Sequence, residues 1–397
     1  MPIHSGREFF ADLHIHIGRA GGNPVKITAA RSLTLGSILF ADAPRKGLDI
    51  VGVVDAGSPL VAKEIGDMLQ AGDLRELDQG GFLASNGILL ITGSEVETRE
   101  GVHVIAYLPG LQSLNKWQRF LAPRVRNMNL STQKVDIAMA DIISQCIRLD
   151  SIFCLAHAFT PHKGAYGIWT DRLFKELGPA IEDIKVIELG LSSDSSLADT
   201  VAETRRFNYL SNSDAHSAPN IAREYNRLDM ADRNFTELKL ALLNEQGRGI
   251  TANYGLHPRM GKYHRSFCLS CSRIANEPAP VMRCQACGSE RLVMGVYDRI
   301  VMIQDTPCSR HPLDRPPYFY RIPLQGLPGI GPVAYRRLLE AFANEIDIME
   351  TVPLEDIRRT VGDRPAAAVQ AMRSGSLVIK DGGGGHYGRV SVPTDMI

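Results

Sequence analysis

At 397 residues the chain is too long for one ordinary domain and suits a barrel-sized unit with appendages. Hydrophobic residues at 44% and charged ones at 22% are normal for a folded protein with a sizeable core, which excludes a disordered or fibrous chain. The 44 basic side chains balance 44 acidic ones, so any nucleic-acid binding must come from local clusters. No run of 18 apolar residues occurs and the N-terminus lacks the apolar core of a secretory signal; a cytoplasmic protein with no membrane association is expected.

Phe9 to Ile17 reads as the first strand and carries Asp12-Leu13-His14-Ile15-His16. Side chains two apart in a strand share a face, so His14 and His16 point the same way. Asp49 to Asp55 is an apolar run that ends on Asp55, and Ile88 to Glu95 is another that ends on Glu95. Val102 to Tyr107 has His103 at its start. Gln133 to Leu149 places Val135, Met139, Ile142, Ile143, Cys146 and Ile147 on one helical face. Ile152 to His157 is a strand ending on His157, Leu197 to Phe207 and Phe235 to Leu243 read as helices, and Tyr209 to Asp214 is strand-like. Asp214-Ala215-His216 then supplies a second co-facial pair.

One His-x-His alone is as easily chance alternation. A His-x-His and an Asp-x-His, joined by Asp55, Glu95, His103 and His157 at the ends of other apolar strands, form a donor set for divalent metal. Strand–helix alternation to about residue 250 means an α/β barrel or a doubly wound sheet. Ligands dispersed over many strand ends favour the barrel, whose loops converge on one face.

Beyond this region, Cys268-x2-Cys271 and Cys284-x2-Cys287, with 12 residues between the pairs, have the spacing of a four-cysteine zinc ribbon. Two disulfides are the competing reading, and a reducing compartment disfavours them. Cys146 and Cys154 are expected in the core, and Cys308 is given no role. Lys262, His264, Arg265, Arg273, Arg283 and Arg291 surround the ribbon, either as a basic face for a partner or as ordinary solvated surface. His311 to Tyr318 is a proline-rich connector. In Leu327-Pro328-Gly329-Ile330-Gly331-Pro332, two glycines precede an amphipathic helix carrying Arg336 and Arg337. Glycines let a backbone approach a phosphate, and free amides at a helix start bind anions, so Gly329, Gly331, Arg336 and Arg337 are expected to contact DNA. Gly382 to Gly388 is either a flexible linker or a loop that closes over a ligand.

His14-x-His16, Asp55, Glu95, His103, His157 and Asp214-x-His216 resemble the motif set of the polymerase-and-histidinol-phosphatase (PHP) superfamily. The resemblance implies a distorted seven-stranded α/β barrel, (β/α)7, with a two- or three-metal phosphoesterase centre. It implies that Glu95 bridges metals, with His14, His16 and Asp214 on one side and His103 and His157 on the other. One departure is present: many members place a histidine after the second-motif aspartate, but Ala56 follows Asp55 here. Asp55 itself is expected to be a ligand.

A PHP barrel, then a ribbon, then a glycine hairpin resembles the endonuclease Q family of DNA-repair enzymes. Glu188 to Asp194, Ser211 to Ser217, Gly261-Lys262-Tyr263-His264 and Arg315-Pro316-Pro317-Tyr318 also carry the likeness. The order of parts divides the chain into a metal-dependent phosphoesterase barrel (1–255), a four-cysteine zinc ribbon (256–300) and an α-helical, helix-hairpin-helix-like DNA-binding domain (301–397). The resemblance implies hydrolysis of the phosphodiester 5′ of a deaminated base (uracil, hypoxanthine, xanthine) or abasic site, in single- or double-stranded DNA. Expected cofactors are one structural Zn2+ in the ribbon and two or three divalent ions (Zn2+, Mn2+ or Mg2+) in the barrel. Asp214, Glu95 and His157 are expected to be catalytic.

Clustered divalent ions activate water and steady phosphate charge without a protein nucleophile, and no serine–histidine–acid triad is inferred. Phe159, Tyr166 and Trp169, after His157, either stack on an extruded base or anchor their loop. Two other readings compete: a small-molecule phosphoesterase of the histidinol-phosphatase kind, and an inactive DNA-binding scaffold. The ribbon and hairpin argue against the first, the complete ligand set against the second. A sliding clamp or helicase partner suits a repair enzyme, but no motif identifies one.

Overall fold

The computed structural model describes residues 6–393. Seven strands, β1 (Arg7–Ile15), β2 (Ile50–Val53), β3 (Leu89–Glu97), β4 (His103–Leu108), β5 (Ile152–Leu155), β6 (Val186–Glu188) and β7 (Asn208–Leu210), lie side by side in chain order. All neighbours are parallel except β4, which runs antiparallel to both β3 and β5. The reason is local: Thr98 N–H bonds to the Val102 carbonyl and Gly101 takes φ +85°, a tight hairpin that can only reverse the chain.

The sheet curls until β1 meets the segment beyond β7. Ile15 and Ala215 form a parallel bridge, with His16 N–H to Ala215 O at 3.0 Å and Ala215 N–H to His14 O at 3.2 Å. Buried Asp12 seals the same seam by accepting from Ser213 N–H at 3.1 Å and Ala222 N–H at 3.0 Å. The other half of β1 pairs antiparallel with β8 (Tyr225–Met230), followed by β9 (Gly249–Gly255) and the short strand Tyr318–Tyr320. A register shift between Asp12 and Ile15 re-aims β1. Leu13 can thus join the interior cluster with Ile91, Ile105, Cys154, Val186 and Leu210, while His14 and His16 turn to the barrel mouth.

Helices cover the outside. Helix α1 (Pro59–Ala71) starts on the Ser58 cap with proline at its first position and stops at Gly72, φ +81°. Helix α2 (Leu111–Leu121) buries Leu114, Trp117 and Leu121. Helix α3 (Met139–Arg148) begins six residues later than the Gln133 start read from the sequence. The intervening backbone pairs with the end of β3 instead: Val135 N–H bonds to Glu97 O at 2.8 Å. Leu197 to Phe207 is likewise not one helix but two short turns, Ser195–Ala198 and Ala202–Arg206. Between them the buried Asp199 carboxylate is drawn to Arg315, His311 and Tyr209, which interrupts the helical path. Helix α4 (Phe235–Leu243) has the bounds read from the sequence.

Beyond β9, Phe267–Cys268 pairs antiparallel with Leu292–Val293 to form a ribbon, and α5 (Val296–Ile303) follows. Helices α6 (Pro332–Ala341), α7 (Glu345–Glu350), α8 (Leu354–Val361) and α9 (Asp363–Arg373) make the C-terminal region. The hairpin Val378–Lys380 with Arg389–Ser391 frames the glycine-rich segment. Among the described residues no helix is long and apolar enough to cross a membrane.

Candidate metal centre

The barrel mouth gathers seven of the eight side chains expected there. His14 Nε2 and His16 Nε2 are 3.3 Å apart, and both lie 3.4–3.6 Å from oxygens of Glu95 and Asp214. Glu95 Oε1, the oxygen that lies 3.6 Å from His14 Nε2, is also 3.0 Å from His103 Nδ1 and 3.4 Å from His157 Nε2. Three donor groups emerge: His14, His16 and Glu95; His16, Asp214 and His216; and Glu95, His103 and His157. His103 reaches this end from the start of its strand because β4 runs against its neighbours.

The eighth side chain, Asp55, stands behind His16. Its Oδ1 lies 2.9 Å from His16 Nδ1 and its Oδ2 accepts from Ile17 N–H at 2.5 Å, so both oxygens are engaged away from the imidazole Nε2. Glu188 does the same for His14, with its two oxygens 3.1 and 3.2 Å from Nδ1. A carboxylate behind Nδ1 holds a proton at that nitrogen and aims Nε2 at the cage, where it can serve as a metal ligand once deprotonated. Two imidazole Nε2 atoms 3.3 Å apart, flanked by carboxylates, call for positive charge between them, which a shared proton or a metal ion supplies. His103 Nδ1 is buried without a hydrogen-bond partner, misaligned with Glu95 despite their short separation. This donor set fits divalent cations.

The surrounding carboxylates draw positive charge into the cage. Burial disfavours the His14 imidazolium, but Glu188, Asp214 and Glu95 outweigh it and lift its pKa to about 10. Burial alone would raise Glu95, yet His103 and Lys26 hold it well below the ordinary carboxylate range. Asp214 is held low against burial by His14 and His16. The backbone is strained at two of these positions, His157 at φ +31° and Asp214 at φ +46°. Such conformations cost on the order of 1–3 kcal/mol each and persist where surroundings impose them. His157 N–H is pinned to Glu188 Oε2 at 2.8 Å, and Gly190 (φ +79°) leaves room behind it, since an added Cβ would sit 3.0 Å from His157 Cβ. The guanidinium of Arg223 holds the Asp214 turn by donating to the Ser213 and Asp214 carbonyls at 2.7 and 3.3 Å.

Sequence reasoning missed Glu188, Lys26 and Arg223 as site residues. Lys26 Nζ donates to Glu95 Oε2 at 3.3 Å and to Thr132 Oγ1 at 2.6 Å, adding a fixed positive charge. A cleft of about 410 Å3 opens beside the cage, walled by His103, His157, Asp214, Lys262, Tyr263 and Tyr387. Phe159 and Tyr166 are absent from that wall: both are fully buried, stacked at 5.3 Å, with the Tyr166 hydroxyl on Glu203. They anchor their loop.

In the ribbon, Cys268 and Cys287 Sγ are 3.7 Å apart and Cys271 and Cys284 Sγ 3.6 Å, too far for disulfides. A tetrahedral zinc with bonds of about 2.3 Å sets its thiolates about 3.8 Å apart, and all four sulfurs lie within 4.8 Å. Of the six basic groups around it, His264 is buried and Arg265 pairs with buried Asp298, so these two belong to the interior. At the glycine hairpin, Gly329 needs its φ of +88°, whereas Gly331 opens onto free space and caps α6. Arg336 and Arg337 are exposed on that helix.

No family model matches the chain. The protein YqxK of Bacillus subtilis is 38% identical over 393 residues, 97% of this chain and 99% of that one. The protein MJ0043 of Methanocaldococcus jannaschii is 34% identical over 52% of this chain and 28% of its own length. The solved structure of the lesion-specific endonuclease PfuEndoQ from Pyrococcus furiosus superposes with a TM-score of 0.85 at 31% identity, covering 98% of this chain and 96% of that one. A structure of endonuclease Q with a 27-mer duplex bearing an abasic lesion at its active site gives the same TM-score, 0.85, at 31% identity, covering 98% of each chain. With likeness of this extent running through barrel, ribbon and helical region alike, the chain belongs to the endonuclease Q family.

Proposed function

We propose that this protein is a metal-dependent DNA repair endonuclease that hydrolyses the phosphodiester 5′ of a deaminated base or an abasic site. The observation carrying the reading is a cage of five imidazoles and two carboxylates that opens on a cleft large enough for a nucleotide. It sits in a chain that matches, end to end, an endonuclease solved with a lesion duplex.

His14, His16, Glu95 and Asp214 would hold one divalent ion and Glu95, His103 and His157 a second, with Glu95 common to both; His16, Asp214 and His216 are the donors for a third. Zn2+, Mn2+ or Mg2+ bound there supplies the charge that lowers the pKa of water and offsets charge on the phosphate. The protein's part is orientation. Glu188 and Asp55 hold protons at Nδ1 of His14 and His16 and aim each Nε2 inward. Asp55 is therefore proposed as a positioning residue in place of the ligand expected from the sequence. Glu95, His157 and Asp214 are the proposed catalytic residues; His157 and Asp214 face both cage and cleft, and Glu95 is buried within the cage. Lys26 keeps Glu95 ionised from the far side.

For the rest of the chain, the proposed units are 1–255, 256–300 and 301–397, although α5 (Val296–Ile303) runs across the second boundary and Tyr318–Tyr320 joins the barrel sheet. The ribbon cysteines would hold one Zn2+, and Gly329, Gly331, Arg336 and Arg337 would contact the DNA backbone without reading sequence. Lesion choice then rests on which nucleotide leaves the stack most cheaply, a difference of a few kcal/mol.

End-labelled duplexes carrying deoxyuridine, deoxyinosine or an abasic site test the reading. Nicking 5′ of the lesion, absent on undamaged duplex and abolished by Asp214→Asn, is expected. Rapid hydrolysis of small phosphate monoesters without nicking would refute it.

A further inference from the structure

The glycine-rich segment near the C-terminus has no part in the reading above, yet it ends at the cleft. Gly382 N–H bonds to Arg259 O at 2.7 Å, Gly385 N–H to Lys262 O at 3.2 Å and Gly388 N–H to Met260 O at 2.9 Å. The segment is therefore docked on 259–262. Side chains would obstruct this approach: a Cβ on Gly382 would lie 2.8 Å from the carbonyls of Met260 and Gly261. What the docking delivers is Tyr387.

Tyr387 stands on a wall common to two cavities. One is the 410 Å3 cleft beside the cage. The other, of about 460 Å3, runs past Asn220, Arg223 and Leu256 to Leu327 and Pro328, immediately before the glycine hairpin. The ring remains 41% exposed although its hydroxyl is tied down. Arg223 Nη1 donates to that hydroxyl at 2.9 Å while the rest of the same guanidinium holds the Asp214 turn. Lys262 Nζ lies 5.1 Å from the Tyr263 ring and 5.8 Å from the Tyr387 ring. An exposed, immobilised aromatic ring with cations beside it matches what a nucleobase and its phosphate need.

We propose that Tyr387 is a stacking partition. It takes the base of the nucleotide neighbouring the lesion on the strand being cut, and separates the nucleotide in the metal cleft from the strand leading toward the hairpin. The inference rests on the endonuclease reading, because it presumes DNA in the cleft. Through Arg223 the partition is built onto the same turn that carries Asp214, so strand and scissile phosphate are registered together.

The test uses the full-length, zinc-loaded protein with Asp214→Asn to keep substrate uncut, and an abasic duplex carrying fluorescent 2-aminopurine beside the lesion. The Asp214→Asn protein should bind and quench the probe. Adding Tyr387→Ala should weaken binding between about 5- and 150-fold, the equivalent of one base–aromatic stack, and abolish the quench. Tyr387→Phe and Tyr387→Trp should keep both, which separates stacking from loss of fold. Circular dichroism and ribbon zinc content equal to the parent's complete the control. Parental affinity and quench in Tyr387→Ala would overturn the partition while leaving the endonuclease reading intact. Absence of lesion preference in the Asp214→Asn protein itself would overturn both.

Discussion

Replacing Glu188 by glutamine keeps the shape of the side chain and removes one buried charge behind the metal cage. In the parent, Glu188 accepts at both oxygens, from His14 Nδ1–H at 3.1 and 3.2 Å and from the strained His157 N–H at 2.8 Å. Glutamine offers one acceptor, so either the His14 ring or the His157 backbone faces an amide NH2. Loss of a carboxylate behind a metal-binding histidine typically costs 10–100-fold in affinity, about 1.4–2.8 kcal/mol. The additional donor–donor conflict places Glu188→Gln near the upper figure. Competition with a chromophoric chelator should report about 100-fold weaker barrel metal, with elemental analysis still giving one ribbon zinc as internal control. Barrel affinity within about twofold of the parent would refute the claim that Glu188 sets the His14 tautomer.

Other perturbations address other parts. Cys284→Ser should release the ribbon zinc and weaken damaged-DNA binding before it affects the barrel metals, as elemental analysis and fluorescence anisotropy would record. A Cβ on Gly331 meets no neighbour; Gly331→Val should cost at most about 1 kcal/mol of stability, through the N-cap of α6, but weaken DNA binding and flatten its salt dependence, and unchanged affinity would make the hairpin purely structural. Gly329→Ala, at φ +88° and with Arg364 Cγ 3.2 Å from the new Cβ, should instead lower stability by about 1 kcal/mol or more in urea titration. Asp199→Ala strands the Arg315 guanidinium, whose side chain is 5% exposed, and should cost about 3–5 kcal/mol by the same measurement.

The cage was legible because its ligands terminate apolar strands, and a strand end projects a short polar side chain into the mouth whatever the curvature of the sheet. Glu188 closes Val186–Glu188 in the same manner as Glu95 closes its run, so the signal for it was present and went unused. Asp55 looked like a ligand for that reason too. Only the geometry around Ile17 N–H and His16 Nδ1 distinguishes a carboxylate in the cage from one behind it. Lys26 lies in an irregular loop, where no periodicity marks a side chain that will fold back onto Glu95. The break in Leu197 to Phe207 depends on Arg315, more than 100 residues away, and local pattern cannot contain it. The reversal of β4 was implicit in the tight Thr98–Val102 turn, yet His103 at the start of a strand made sense only once the direction was known.

The seam between His14–His16 and Asp214–His216 has a consequence for the life of the protein as well as its chemistry. The two sides are 200 residues apart in sequence and meet through one backbone bridge, Ile15 with Ala215, and the hydrogen bonds of Asp12 to Ser213 and Ala222. Bringing the ends of a segment that long together costs roughly 5 kcal/mol of chain entropy. An ion gripped from both edges would act there as a clasp beside these bonds, a non-covalent counterpart of a long-range crosslink. Metal supply would then govern abundance: in a cell short of divalent ions, molecules with unclasped barrels would open at the seam and fall to proteolysis, so a repair capacity would be withdrawn by turnover and not merely idled.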